Sequence, residues 1–390
     1  MLAKQSPPTA IEVVCAGDPR ELGAAQGAGS RAKIHAAREA LPRLEAFRLQ
    51  QPWFLPYPLY RSIAEGKASR YLAAALDRDY PAISRRITGL AEGSGLSRKS
   101  ICLFNALEPL LSSVGGCTAC PGACSAVAVR GRRSATGEAV IARNFDYLPL
   151  VQPFYLLRDC RPTGELRALE FTIAPLAGTV DGMNEHGLCI TYDYAFTTDD
   201  PPAASAPISM AISEALSRCR TITEAADWIA SRPRYGGGLL MLADATGDIA
   251  SLELSSTRSH LRRPESGEDE LFHTNAFTAD RMREVQVPWE AVYTNTAPTP
   301  LRGRRLHRSS ELRNHRFAEL LRNADGPLGP DELGAIMGDH GAAGNPDDFT
   351  PCVHGSYWAT TACLQLFTRS RRVRVAYDSP CRAEYREIEM

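Results

Sequence analysis

Cys124-Ser-Ala-Val-Ala-Val129 runs into Arg130-Gly-Arg-Arg-Ser-Ala-Thr-Gly137, and the chain returns through Ala139-Val-Ile-Ala-Arg143-Asn-Phe-Asp146. The outer runs are apolar and β-prone and the middle one is rich in turn formers, which predicts a hairpin with a longer loop. Upstream, from Gly17 to about Leu111, apolar residues recur at three and four spacing, as in Leu22–Leu49 and Tyr71–Leu76, so this third reads as helical. Pro42 divides the first of these stretches, and Tyr80-Pro81 opens a further helix that Gly93 and Gly95 close. Ser97 is placed to cap the next one. Downstream, strands are predicted at Leu166–Ile173, Leu188–Tyr194, Gly238–Ala243, Ile249–Leu254, Thr361–Phe367 and Val373–Tyr377. Helices are predicted between them at Ile208–Ser217, Thr223–Ser231 and Ser309–Arg322, and the polar run Ser256–Asp269 reads as an exposed loop. A helical third followed by strands without regular βαβ alternation argues for an α+β fold over a doubly wound sheet.

Composition removes several functional classes. Lys+Arg 44 against Asp+Glu 45 leaves a formal charge of −1, which excludes nucleic-acid binding through bulk positive charge. A hydrophobic fraction of 44% with 23% charged residues is ordinary for a globular chain and excludes global disorder. No run approaches the roughly 18 apolar residues of a membrane span. Met1–Cys15 lacks the apolar core of a signal peptide, so the expectation is a cytoplasmic protein whose 11 cysteines are mostly reduced.

Three of those cysteines, Cys117, Cys120 and Cys124, fall within eight residues. As a metal or iron–sulfur site they lack a fourth ligand, which Cys160 or a histidine could supply only through the tertiary fold. As structural thiols, Cys117 and Cys120 would pack at a helix-to-strand junction. Cys124 differs, because it opens an apolar strand whose partner ends in Arg143 and Asp146. That arrangement suits a nucleophile at a new N-terminus. Once the chain is cut before Cys124, the freed α-amine can serve as the general base for its own thiol, so no catalytic histidine is required. The remaining candidates have simpler structural explanations on residue type alone. Arg143 with Asp146 could be an ordinary ion pair, Asn275 and His186 turn residues, and His354 near Cys352 a structural side chain.

With these residues in place, the chain resembles the acyl-CoA:6-aminopenicillanate (isopenicillin N) acyltransferase family. That family is similar in turn to the choloylglycine hydrolases and penicillin V acylases, which are cysteine N-terminal nucleophile hydrolases. The resemblance runs from about Gly17 to Tyr385. It rests on Tyr80-Pro-Ala-Ile-Ser-Arg-Arg-Ile-Thr-Gly-Leu-Ala-Glu-Gly-Ser-Gly-Leu96 with Phe104-Asn105, on Cys124-Ser125, and on Arg143-Asn-Phe-Asp146. Asp181-Gly-Met-Asn-Glu-His-Gly-Leu188, His273-Thr-Asn275 and Ser309–Arg316 complete it. It implies a four-layer αββα sandwich, with residues 1–123 as a helical pro-segment and 124–390 as the catalytic unit. It also implies self-cleavage between Ala123 and Cys124, and acyl transfer or hydrolysis at an amide bond through a Cys124 thioester.

By the same resemblance, Asp146 receives the new α-ammonium, Arg143 favours the thiolate, Asn275 donates to the oxyanion, and Arg313 braces the nucleophile, with Arg316 as a competitor one helical turn away. The implied partners are a small acyl amide or an amine acceptor, with an acyl-CoA or carrier-protein thioester as a co-substrate in the transfer version. No metal, cofactor, nucleic acid or membrane is expected, and an oligomer is allowed. Two positions depart from the family pattern. Asp193 stands where an asparagine is usual, and an ionised Asp cannot donate to an oxyanion. Ala123 replaces a glycine, although Gly116-Cys117-Thr118 mimics the usual start. The alternatives to an active enzyme are a cysteine-cluster metal protein and an inactive family member.

Overall fold

The structure, a computed structural model, describes residues 11–112, 123–203 and 205–390. Cys117, Cys120 and the Pro121-Gly122 turn lie outside the described residues. The strands are β1 (Val13–Gly17), β2 (Ser125–Val129), β3 (Val140–Tyr147), β4 (Tyr155–Pro162), β5 (Ala168–Ile173), β6 (Asp181–Asn184), β7 (Cys189–Ala195), β8 (Ala206–Pro207), β9 (Arg234–Tyr235), β10 (Gly237–Ala243), β11 (Ile249–Leu254), β12 (Ser259–Arg262), β13 (Glu270–His273), β14 (Ala359–Phe367), β15 (Arg372–Ala376) and β16 (Arg386–Glu389). One sheet is ordered β1-β4-β5-β6-β7-β10-β11-β12 and the other β13-β2-β3-β14-β15-β16, with β8 and β9 as a separate short pair. In the two large sheets only β1 beside β4 is parallel among the described pairs.

The period of two along each strand sorts the side chains into layers. Ala126, Ala128 and Ile141 of one sheet meet Leu169, Met183, Cys189 and Met241 of the other, so the two sheets stack face to face. Val127, Val129, Val140 and Ala142 point the opposite way, onto Phe317 and Leu321 of the helix Arg308–Asn323 and Leu333 of the helix Pro330–Met337. The outer face of the larger sheet, through Leu240, Leu242 and Leu252, packs on Leu72, Leu76, Ile87, Leu90, Ile212 and Ile229. Burying each such side chain contributes about 1.5–3 kcal/mol relative to exposing it, so all four apolar faces need cover. The result is the expected αββα sandwich. The described part of residues 1–123 forms most of one outer helical layer.

The helices that carry this layer follow their local signals. Pro19–Gly29 starts with a capping box between Asp18 and Glu21. Pro81–Ser94 starts at its proline and ends at Gly95 in the left-handed region. These two helices touch backbone to backbone. A Cβ on Gly23 would lie 2.0 Å from the Arg86 carbonyl oxygen, and one on Gly89 would lie 1.9 Å from that of Arg20. Any side chain there would push the helices apart.

The sequence pattern marks no element at Val13–Gly17, which forms β1 only through pairing with the distant β4. One sequence expectation is corrected. Ser256–Asp269 is a loop only in part, since Ser259–Arg262 pairs with β11 as an edge strand. Its side chains are all half-buried, so they carry no apolar alternation.

Candidate active site

Strand parity also decides what surrounds Cys124. In the β2–β3 ladder Ser125 lies opposite Asn144 and Ala126 opposite Arg143. Cys124, Arg143 and Phe145 therefore face the interior between the sheets, whereas Ser125, Asn144 and Asp146 face the helical layer beyond. The Ala123 N–H donates to the Asp146 carbonyl at 3.2 Å, which holds the Ala123–Cys124 peptide alongside that residue.

Arg143 is fully buried and bridges the two sheets. Its Nη2 lies 3.2 Å from Cys124 Sγ and donates to the Tyr192 carbonyl. Nη1 donates to Asp181 Oδ2 at 2.8 Å, and Nε to Asp193 Oδ1 at 3.1 Å. Asp181 is fixed in turn by the Tyr192 N–H at 3.1 Å. On the other side of Cys124, Arg313 Nη1 donates to the Cys124 carbonyl and to Ser125 Oγ, both at 2.7 Å. Arg313 Nη2 donates to Asn275 Oδ1 at 2.7 Å. One guanidinium thus ties the Cys124 main chain to Asn275. Asn275 Nδ2 donates to the Tyr194 carbonyl at 2.8 Å, which uses one of its two hydrogens. Arg316 faces away and pairs with Asp339 and Glu319.

The six site residues expected from the sequence, Cys124, Arg143, Asp146, Asp193, Asn275 and Arg313, lie together here, and Asp193 is turned toward Arg143. It is an acceptor for Arg143, and its second oxygen lies 3.4 Å from His273 Nε2. His186 sits exposed in the turn between β6 and β7. There Asn184 Oδ1 accepts from the His186 and Leu188 N–H groups. Gly187 adopts a positive φ of 79°, and a Cβ on it would lie 2.1 Å from the Thr368 carbonyl oxygen. That motif is a built turn, and its first residue, Asp181, is the one that reaches the site.

The charges are closely balanced. Arg143 and Arg313 supply two positive charges, while Asp146, Asp181 and Asp193 would supply three negative ones. Loss of hydration pushes Asp146 up to about 7, against the pull of Arg313, a hydrogen bond from Thr360 Oγ1 and the pull of Arg143. Loss of hydration likewise pushes Asp181 up to about 7 despite Arg143. Burial also raises the Cys124 thiol, and Arg143 only partly offsets it. Asp146 Oδ2 is buried and has no hydrogen-bond partner among the described residues. An unsatisfied carboxylate oxygen in this setting costs about 1–3 kcal/mol or more.

Cys124 and Arg143 border a cavity of about 160 Å³. Its walls are mostly apolar: Ala37, Ala40 and Leu44 from the N-terminal helices, and Phe145, Leu148 and Val180 from around the sheets. Glu108 is among its few polar residues. It accepts a hydrogen bond from the Tyr192 hydroxyl at 3.2 Å, and loss of hydration pushes its carboxyl up to about 7. Nothing in the sequence alone marks Asp181, Thr360 or Glu108 as site residues. Asp181 stood inside a recognised motif, but its contact with Arg143 exists only once the sheets stack.

Residues 133–371, more than half of the chain, match the family described as acyl-coenzyme A:6-aminopenicillanic acid acyl-transferase. The chain belongs to that family. The matched stretch contains Arg143, Asp146, Asp193, Asn275 and Arg313, while Cys124 lies just upstream of it. Membership of that family makes the protein an enzyme of acyl transfer. No curated protein matches the sequence. Among solved structures, a Caenorhabditis elegans ortholog of N-acylethanolamine-hydrolyzing acid amidase is similar at 13% identity, covering 63% of this chain and 93% of that one with a TM-score of 0.40. A mutant of conjugated bile acid hydrolase from Clostridium perfringens is similar at 13% identity, covering 68% and 92% with a TM-score of 0.40. Penicillin V acylase from Agrobacterium tumefaciens gives 14%, 68% and 86% with a TM-score of 0.37. Among the described residues no helix is long and apolar enough to cross a membrane.

Proposed function

We propose that the protein is a self-processing cysteine acyltransferase or amidohydrolase in which Cys124 becomes the N-terminal nucleophile. The observation that carries this reading is Cys124 Sγ at an apolar cavity, touched by Arg143 and alongside a buried carboxylate with one oxygen unpartnered among the described residues. In the first step the Cys124 thiol attacks the Ala123 carbonyl. The C–N bond breaks, the nitrogen takes up the thiol proton and becomes the α-amine, and water releases residues 1–123 from the thioester. The products are the chains 1–123 and 124–390.

The new α-ammonium supplies the positive charge the site lacks, and Asp146 Oδ2 is the acceptor available for it. In turnover the α-amine takes the Cys124 proton, and the thiolate attacks the acyl carbonyl. The remaining Asn275 N–H and main-chain N–H groups serve the oxyanion. The acyl chain lies in the apolar cavity. Water or a small amine then takes the acyl group, and an acyl-CoA or carrier-protein thioester is a suitable donor for the transfer version. Incubation with a panel of acyl amides and thioesters, followed by intact mass, is expected to show one acyl adduct on Cys124. An adduct on another cysteine, or none with any member of the panel, would refute the assignment.

Asp146→Asn removes the charge that meets the α-ammonium as it forms, so cleavage slows and turnover falls by about 10²-fold or more, toward the loss seen when the carboxylate that orients a general base is removed. Asp159→Asn, whose carboxylate binds Arg161 and Arg167 instead, leaves both rates near wild type. Equal rates for the two variants would remove Asp146 from the mechanism.

Asp193→Asn keeps an oxygen for Arg143 Nε and removes a negative charge that raises the Cys124 thiol. The thiol then loses its proton at lower pH, so the rising limb of kcat/KM moves to lower pH and activity at neutral pH is kept or increased. A loss of about a hundredfold, the scale of a removed oxyanion donor, would show that the carboxylate has a task of its own.

A further inference from the structure

We infer that His340, Cys352, His354 and Cys381 form a structural zinc(II) site, separate from the nucleophile and built from the loops that follow the helix Pro330–Met337 and β15. The four ligand atoms all lie within 4.8 Å of one another. His354 Nε2 is 3.2 Å from Cys352 Sγ and 3.5 Å from Cys381 Sγ. A tetrahedral ion with bonds of about 2.0–2.3 Å holds its ligands about 3.3–3.8 Å apart, so only small side-chain shifts are needed. His340 stacks edge-on to His354 at 5.1 Å between ring centroids, and its Nε2 is buried with no hydrogen-bond partner among the described residues. Two thiolates and two imidazoles make the donor set that zinc prefers in closed sites.

The site has a reason to exist. Between the end of the helix Pro330–Met337 and β14, roughly twenty residues form neither helix nor strand, a length uncommon for a loop without a task. Three of the four ligands lie in that loop, and Cys381 anchors them to the segment after β15. The same loop meets the catalytic strand. Asn144 Nδ2 donates to the Pro351 carbonyl at 2.8 Å, and the Val353 N–H donates to Thr360 Oγ1 at 2.8 Å. Thr360 in turn donates to Asp146. A metal clip at Cys352 and His354 therefore steadies the hydroxyl that orients Asp146, as a positioning device remote from the chemistry. Cys352 is buried, while Cys381 is exposed and borders an open surface cleft together with His340, which leaves an entry path. Binding replaces the two thiol protons with Zn–S bonds and releases them to solvent, so the loaded site is neutral and no electron transfer is involved. The expectation of no metal rested on Cys117, Cys120 and Cys124, whose spacing is unrelated to this set.

The test uses the full chain purified under reducing conditions without a metal-affinity step. Elemental analysis is expected to find one zinc per chain. After chelator treatment, Co(II) alone should produce the d–d bands of a tetrahedral site together with thiolate-to-cobalt charge transfer. Cys381→Ser, at an exposed position that folding tolerates, should lose the zinc and the charge-transfer intensity of one thiolate. Cys219→Ser should retain both. Chelation should lower the Tm of wild type and leave that of Cys381→Ser unchanged. Wild-type protein without zinc and without a tetrahedral Co(II) spectrum would overturn the proposal. So would zinc content unaffected by Cys381→Ser, or an intact mass two hydrogens low that maps to a Cys352–Cys381 disulfide.

Discussion

Cys124→Ala is expected to lower kcat/KM by about 10⁴–10⁶-fold, the loss seen when a covalent nucleophile is removed and only binding and oxyanion contacts remain. The same variant should form no acyl adduct. Its fold should survive, because the change removes a sulfur from a site whose main chain Arg313 and the β2–β3 ladder hold independently. Cys189→Ala, a buried thiol on the facing sheet, serves as the control and should keep turnover near wild type. Comparable rates in Cys124→Ala and wild type would end the assignment.

Arg143→Met is expected to cost stability as well as activity. The side chain is fully buried and faces Asp181 and Asp193, which are both at 0% exposure. Removing one partner from a buried ionic cluster costs about 3–5 kcal/mol, because the remaining charges lose their counter-ion. Thermal or urea unfolding should read that loss directly. Stability alone does not define the role, so a second variant separates the two effects. Arg143→Met combined with Asp181→Asn and Asp193→Asn no longer buries unpaired carboxylates and should recover much of the lost stability. Turnover should stay low, since the thiol has lost the guanidinium that touches it. Recovery of turnover together with stability would make Arg143 a packing residue only.

Local chemistry made part of this molecule legible and tertiary pairing concealed the rest. The β2–β3 hairpin could be read because its apolar runs and its turn residues are neighbours in sequence, and Ile249–Leu254 could be read from the turn that precedes it. β1 could not, since five residues of mixed character become a strand only beside β4. Cys124, Arg143 and Asp146 form one local unit, so their convergence followed once the hairpin was drawn. Asn275 and Arg313 are marked only by the family resemblance, and their contact with one another is a tertiary fact. Asp193 showed its departure from the pattern in sequence, but its real neighbour, Arg143 across the sheets, did not. The cluster of His340, Cys352, His354 and Cys381 has no Cys-x2-Cys spacing, and only the folded loops bring its members together.

The central claim is that the nucleophile comes into being by cleavage of its own peptide bond. The α-amine that serves as base exists only after the Ala123–Cys124 bond is cut, so activity and cleavage must arise together. The direct measurement is intact mass and N-terminal sequencing of the purified wild-type protein beside Cys124→Ala and Cys117→Ala. The account predicts two associated chains, 1–123 and 124–390, the second reading Cys-Ser-Ala-Val-Ala-Val, in wild type and in Cys117→Ala, and one uncut chain in Cys124→Ala. A fully active single chain, or a new terminus at Cys117, would contradict it.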